Sequence, residues 1–167
     1  LLDAGAEIIV NINASPYHAG KRAQRERMVS TRAMDNELYL AYLNTVGGQD
    51  ELVFDGGSLI VDQRGEVVAR GKQFQEDLLV ADLDMEAIFR SRLRDPRPRK
   101  ENPAILGEIG GPQLASVSDY GSIGRPRLTP KDVPQLPGPV EEVYKALVLG
   151  TGDYVRKNGF RKVIIGL

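Results

Sequence analysis

Proline distribution constrains this chain more than any other feature. Eight of its ten prolines fall between Arg94 and Gly138, together with several glycines. Proline lacks a backbone N–H and fixes its own φ, so that density forbids long helices and central strands. Three regions follow: residues 1–93, a Pro/Gly-rich linker over 94–138 expected to wrap over its neighbour, and residues 139–167. A total of 167 residues fits one domain and a little more.

Residues 1–93 alternate strand and helix signals, an α/β pattern. The β-branched run Ile8–Ile12 predicts a buried strand, and Asn13-Ala14-Ser15-Pro16 ends it in a loop. Lys21–Glu37 predicts a helix with Met28, Thr31, Met34 and Leu38 on its inner stripe. Tyr39–Val46 predicts a second buried strand, ended by Gly47-Gly48. Residues 58–62 and 66–70 flank Gln63-Arg64-Gly65 as a hairpin, with Gly65 free to take positive φ. Leu78–Leu83 predicts a strand, and Asp84 an N-cap for a helix to about Leu93.

After the linker, Pro139 suits a first helical position and Gly159 a helix stop. Val140, Val143, Tyr144, Leu147, Tyr154 and Val155 mark the helix's apolar stripe. Lys162–Ile165 predicts a parallel strand running into Gly166-Leu167. In α/β folds the turn after such a strand is a common ligand position.

Charge and residue content then remove whole classes of function. A net charge of -1 offers nucleic acid no global attraction, and no apolar run is long enough to span a membrane. Arg90, Arg92, Arg94, Arg97, Arg99 and Lys100 read as a solvated helix end, because no aromatic stands among them to stack a base. With no cysteine, the chain holds no disulfide, no zinc–thiolate site and no thiol nucleophile. The one histidine, His18, cannot build a zinc site alone and reads as a loop residue. Gly47-Gly48 and Gly56-Gly57 open no helix at phosphate-loop spacing and read as turns. Asp50, Glu51 and Asp55 read as surface or turn carboxylates. Leu1-Leu2 opens without an initiator Met or a basic segment, as expected of a truncated gene without a secretory signal, and a cytoplasmic location is expected.

Four segments carry a family likeness. They are Asn11-Ile-Asn-Ala-Ser-Pro-Tyr17 with Lys21, Arg32-Ala33, Asn44-Thr-Val-Gly-Gly-Gln-Asp-Glu-Leu-Val-Phe-Asp-Gly-Gly-Ser58, and Gly152-Asp-Tyr-Val-Arg-Lys-Asn-Gly-Phe160 with Val163-Ile-Ile-Gly-Leu167. In order and content they resemble bacterial glutamine-dependent NAD synthetases, and the first two alone resemble the wider nitrilase superfamily. The resemblance implies a nitrilase-like α-β-β-α sandwich that hydrolyses glutamine. To it is joined a doubly wound, adenine-nucleotide α-hydrolase-like domain. That domain uses ATP and Mg²⁺ to adenylate deamido-NAD, and ammonia from glutamine then displaces AMP. On this likeness residues 1–93 are the back part of the first domain, and residues 139–167 the first helix and strand of the second.

The family's Glu, Lys and Cys triad is expected upstream, so the chain is expected to carry no catalytic residue, and Lys21 is not the catalytic lysine. The likeness assigns glutamine binding to Ser15 and Lys21: a hydroxyl at a strand end, and a cation for the substrate's α-carboxylate. Gly166 and Leu167 match only the opening of the ATP pyrophosphate loop. A homo-oligomeric parent is implied as well. Two other readings are a stand-alone nitrilase or carbamoylase, for which the third region is superfluous, and a degenerate nitrilase-like interaction module.

Overall fold

The computed structural model describes residues 5–94, 115–117, 124, 126–128 and 133–166. Its core is a four-stranded sheet in the order β1-β2-β5-β6. Strand β1 (Ile8–Asn13) leads through helix α1 (Lys21–Asp35) to β2 (Tyr39–Asn44), which pairs parallel to β1. A parallel pair needs such a crossover, and the helix lies over one sheet face. Strands β5 (Leu59–Val61) and β6 (Val67–Arg70) add antiparallel as the expected hairpin, with Gly65 at φ 81° in its turn. Between β2 and β5 the chain leaves the sheet as a separate hairpin, β3 (Val46–Gln49) with β4 (Leu52–Asp55).

Two helices complete the described elements. Helix α2 (Met85–Arg94) starts where Asp84 accepts the Ala87 N–H at 3.3 Å, as its capping role predicts. Helix α3 (Pro139–Lys157) has proline at its start and ends before Gly159, which takes φ 71°. It lies on the β3–β4 hairpin.

Val29, Ala33, Leu38, Leu40, Tyr42, Leu59 and Val61 form the core between α1 and the sheet. Of the predicted inner stripe only Leu38, just past the end of α1, lies in this core. Arg25, Val29 and Ala33 face inward, and Met28 and Met34 are about half exposed. Charge explains the rotation, since Arg25 reaches a buried carboxylate. The opposite sheet face is bare. Val10 and Ile12 on β1 and Leu43 on β2 point away from α1, so β1 is exposed on that side rather than buried.

Three further expectations are corrected. Gly47-Gly48 does not end a strand but lies within β3. Leu78–Leu83 forms no strand. Lys162–Ile165 likewise forms no strand, because no neighbouring strand stands beside it among the described residues, and Ile164 is almost fully exposed. The apolar stripe of α3 also faces outward: Val140, Tyr144 and Leu147 are exposed, whereas Glu142, Ala146 and Asp153 are buried. Most of the 94–138 linker lies outside the described residues. One described part of it touches the first region, where the Leu128 N–H donates to Asp82 Oδ2 at 2.7 Å.

Candidate functional site

The strand end that breaks at Ser15-Pro16 leads into α1, and the two residues expected to bind glutamine stand at either end of this connection, Ser15 in the loop and Lys21 as the first residue of the helix. Main-chain bonds hold it at each end. The Tyr17 N–H donates to the Val53 carbonyl of β4 at 2.7 Å, and the Lys21 N–H donates to the His18 carbonyl at 3.1 Å. Gly20 takes φ 78° at the entry to α1, a conformation with no cost for glycine. The Lys21 ammonium folds back and donates to the Pro16 carbonyl at 2.8 Å, which uses one of its three N–H donors. No side chain caps this helix start and its first turn holds no acid, so the exposed N–H dipoles add to the positive potential of Lys21. His18 is exposed in the loop, as expected.

Ser15 is clamped through its main chain. Its N–H donates to Asn44 Oδ1 at 2.8 Å, and its carbonyl accepts from Asn44 Nδ2 at 3.5 Å. Asn44 is itself buried at the end of β2, where its amide also donates to the Gly56 carbonyl at 3.1 Å and to Asp55 Oδ1 at 3.4 Å.

Asp55 departs most from the sequence reading. Asp50 and Glu51 are exposed turn residues as expected, but Asp55 is 0% exposed. Arg25 of α1 forks across its carboxylate, with N–H···O distances of 2.9 and 3.1 Å, and Gln73 Nε2 donates to Oδ2 at 3.1 Å. A buried charge is tolerated only when paired and hydrogen-bonded, and both conditions hold here. Arg25 also sits 5.9 Å from the Tyr42 ring centre, within cation–π range. Next to it, Gly56 and Gly57 turn with φ of 64° and 63°, and the Phe74 N–H donates to the main-chain carbonyl of Asp55 at 2.9 Å. Phe74 takes φ 60°, an unfavourable conformation for a bulky residue, while its ring packs edge-on to Tyr17 at 5.4 Å.

Tyr17 lies within electrostatic reach of Glu142 on α3. Burial, then the negative charges of Glu142 and Asp55, push its hydroxyl above the usual tyrosine value of 10.0. Its oxygen is buried without a hydrogen-bond partner, as is Oε1 of Glu142. Lower on α3, Asp153 Oδ2 accepts the Gly48 N–H at 2.7 Å, and Lys157 donates to the Gly48 carbonyl at 2.6 Å. Gly47-Gly48 is thus a docking surface for a helix.

At the far end of the chain, Gly166 closes an exposed, extended segment, and Leu167 lies outside the described residues. Among the described residues no group of three or more His, Asp or Glu side chains is placed to hold a metal ion.

Residues 1–92 match the carbon–nitrogen hydrolase family, and the chain belongs to it. The likeness narrows further. The chain is 44% identical to the glutamine-dependent NAD(+) synthetase of Thermotoga maritima, over 99% of this chain and 28% of that protein. It is 46% identical to the glutamine-dependent NAD(+) synthetase of Aquifex aeolicus, over 98% of this chain and 28% of that protein. The structure of a glutamine-dependent NAD+ synthetase from Acinetobacter baumannii, in complex with adenosine diphosphate, superposes with a TM-score of 0.66 at 30% identity. That match covers 99% of this chain and 24% of the other. The chain thus spans just over a quarter of the length of the curated relatives it matches.

Proposed function

We propose that this chain is an internal segment of a glutamine-dependent NAD synthetase, which makes NAD from deamido-NAD, ATP and ammonia released from glutamine. One observation carries the reading. The family match to carbon–nitrogen hydrolases ends at residue 92, yet identity to the synthetases continues through the proline-rich region and α3. A stand-alone amidase has no use for that continuation.

Residues 1–93 then belong to the glutaminase unit, residues 94–138 join the units, and residues 139–167 begin the synthetase unit. The bare sheet face at Val10, Ile12 and Leu43 supports a sandwich whose second sheet covers it. In the glutaminase, Lys21 offers two free N–H donors and the unopposed dipoles of α1 to the α-carboxylate of glutamine. Ser15, held rigidly by its main chain, offers its hydroxyl. A thiolate from outside this chain attacks the side-chain amide, since no cysteine lies within it. ATP and Mg²⁺ serve the second unit, whose phosphate loop opens at Gly166-Leu167 and is completed by residues beyond this chain. A cytoplasmic homo-oligomer is the state that accompanies this reading.

The test is the full-length enzyme assayed with deamido-NAD, ATP and Mg²⁺. Either glutamine or free ammonia should support NAD formation. Amide hydrolysis without NAD formation from either source would instead identify a lone carbon–nitrogen hydrolase.

A further inference from the structure

We infer that Asp55 is a positioning residue for glutamine, fixing the spacing of Ser15 in the loop and Lys21 at the start of α1 from beneath them. The inference rests on the glutamine reading of those two residues. Its basis is the convergence of two arms on a single buried carboxylate. One arm runs from Asp55 Oδ1 to the Asn44 amide at 3.4 Å, and from Asn44 to both main-chain groups of Ser15. The other runs through the two-pronged Arg25 contact at 2.9 and 3.1 Å. Arg25 lies one helical turn after Lys21, on the same face of α1, so whatever holds Arg25 holds the start of that helix.

Neutralising a buried charge does not require this arrangement. Arg25 alone would pair the carboxylate, and apolar residues of similar volume serve stability as well as a buried ion pair does. Asp55 instead accepts side-chain bonds from β2, from α1 and from Gln73, while its carbonyl accepts the Phe74 N–H. Each bond fixes a different segment against the same point. Ser15 and Lys21 must meet one small amino acid together, and displacement by an ångström weakens such binding sharply. A rigid common anchor suits that demand. Asp55 touches no substrate in this account and acts only through Asn44 and Arg25.

Double-mutant cycles in the full-length enzyme separate this role from simple stability. Asn44→Ala should raise the glutamine KM on the order of tenfold while ammonia-dependent NAD formation stays at its wild-type rate. In a Ser15→Ala background the same change should add less than about twofold, because its route is already cut. Arg25→Lys keeps a buried cation but loses the fork, and should show the same dependence on Lys21. Asp55→Asn should raise the KM beyond either arm alone. If it does not fold, the two arms still decide the matter. Fully multiplicative effects of Asn44 with Ser15, and of Arg25 with Lys21, would overturn the positioning role. So would an unchanged KM in both Asn44→Ala and Arg25→Lys beside a raised KM in Ser15→Ala, with the glutamine reading left intact. An unchanged KM in Ser15→Ala and Lys21→Ala would remove the glutamine reading itself, and this inference with it.

Discussion

Side chains in this chain do more of the positioning than their composition suggests. Arg25 is a charged residue on the inward face of a helix, and Asp55 is its partner thirty positions along the chain. Removing either leaves an uncompensated buried charge, a loss of about 3–5 kcal/mol in comparable sites. A second pair is only partly buried and is tuned by acid. Arg70 grips both oxygens of Glu26 at 2.6 and 2.7 Å, and this contact first, with the charges of Arg70 and Arg22 added, holds the carboxyl below its ordinary 4.5. A lowered folded-state value gives stability that is present above the unfolded value and is lost as pH falls through the folded one. Glu26→Gln should therefore lower the melting midpoint at neutral pH and flatten its decline below about pH 4.5, where the two proteins should converge. Midpoints measured by circular dichroism from pH 3 to 7 check this, and parallel curves would refute it.

Element by element, the packing of α3 on the β3–β4 hairpin is close. A Cβ on Gly150 would stand 2.7 Å from Val53 Cγ2, and one on Gly48 would stand 3.0 Å from the Gly150 Cα. Two glycines thus let helix and hairpin touch main chain to main chain. Gly150→Ala should push α3 off the hairpin, despite alanine's better helix propensity of about 1 kcal/mol. Faster amide hydrogen exchange at Gly48, whose N–H bonds Asp153, would report the undocking, and unchanged protection there would contradict it. Element positions were largely legible in the sequence, because β-branched runs, Pro139, Gly65 and Asp84 act locally. Faces were less so. Met28 and Met34 satisfy helical periodicity as well as Val29 and Ala33 do, and only the distant Asp55 decides which side turns inward. Asp55 itself reads as a turn carboxylate, since nothing nearby announces its partner. The pair Ser15 and Lys21 was visible from motif likeness, whereas its support from Asn44 and Arg25 depends on tertiary contacts.

On the scale of the whole molecule, apolar surfaces outline what the chain joins. Val10, Ile12 and Leu43 lie bare on one sheet face, and Val140, Tyr144 and Leu147 on α3. Such surfaces fit a segment that completes its cores with other parts of a longer enzyme. The chain alone should release no glutamate from glutamine, since attack on the amide needs a nucleophile and no cysteine is present. Turnover persisting through repeated purification would count against that. The central claim, that Ser15 and Lys21 form part of a glutamine site in a two-unit synthetase, is tested most directly by steady-state kinetics of the full-length enzyme. Ser15→Ala and Lys21→Ala should each raise the glutamine KM by the equivalent of about 1.5–3 kcal/mol, the usual worth of a charge-assisted contact, and leave NAD formation from free ammonia unchanged. Equal losses with glutamine and with ammonia would contradict the account.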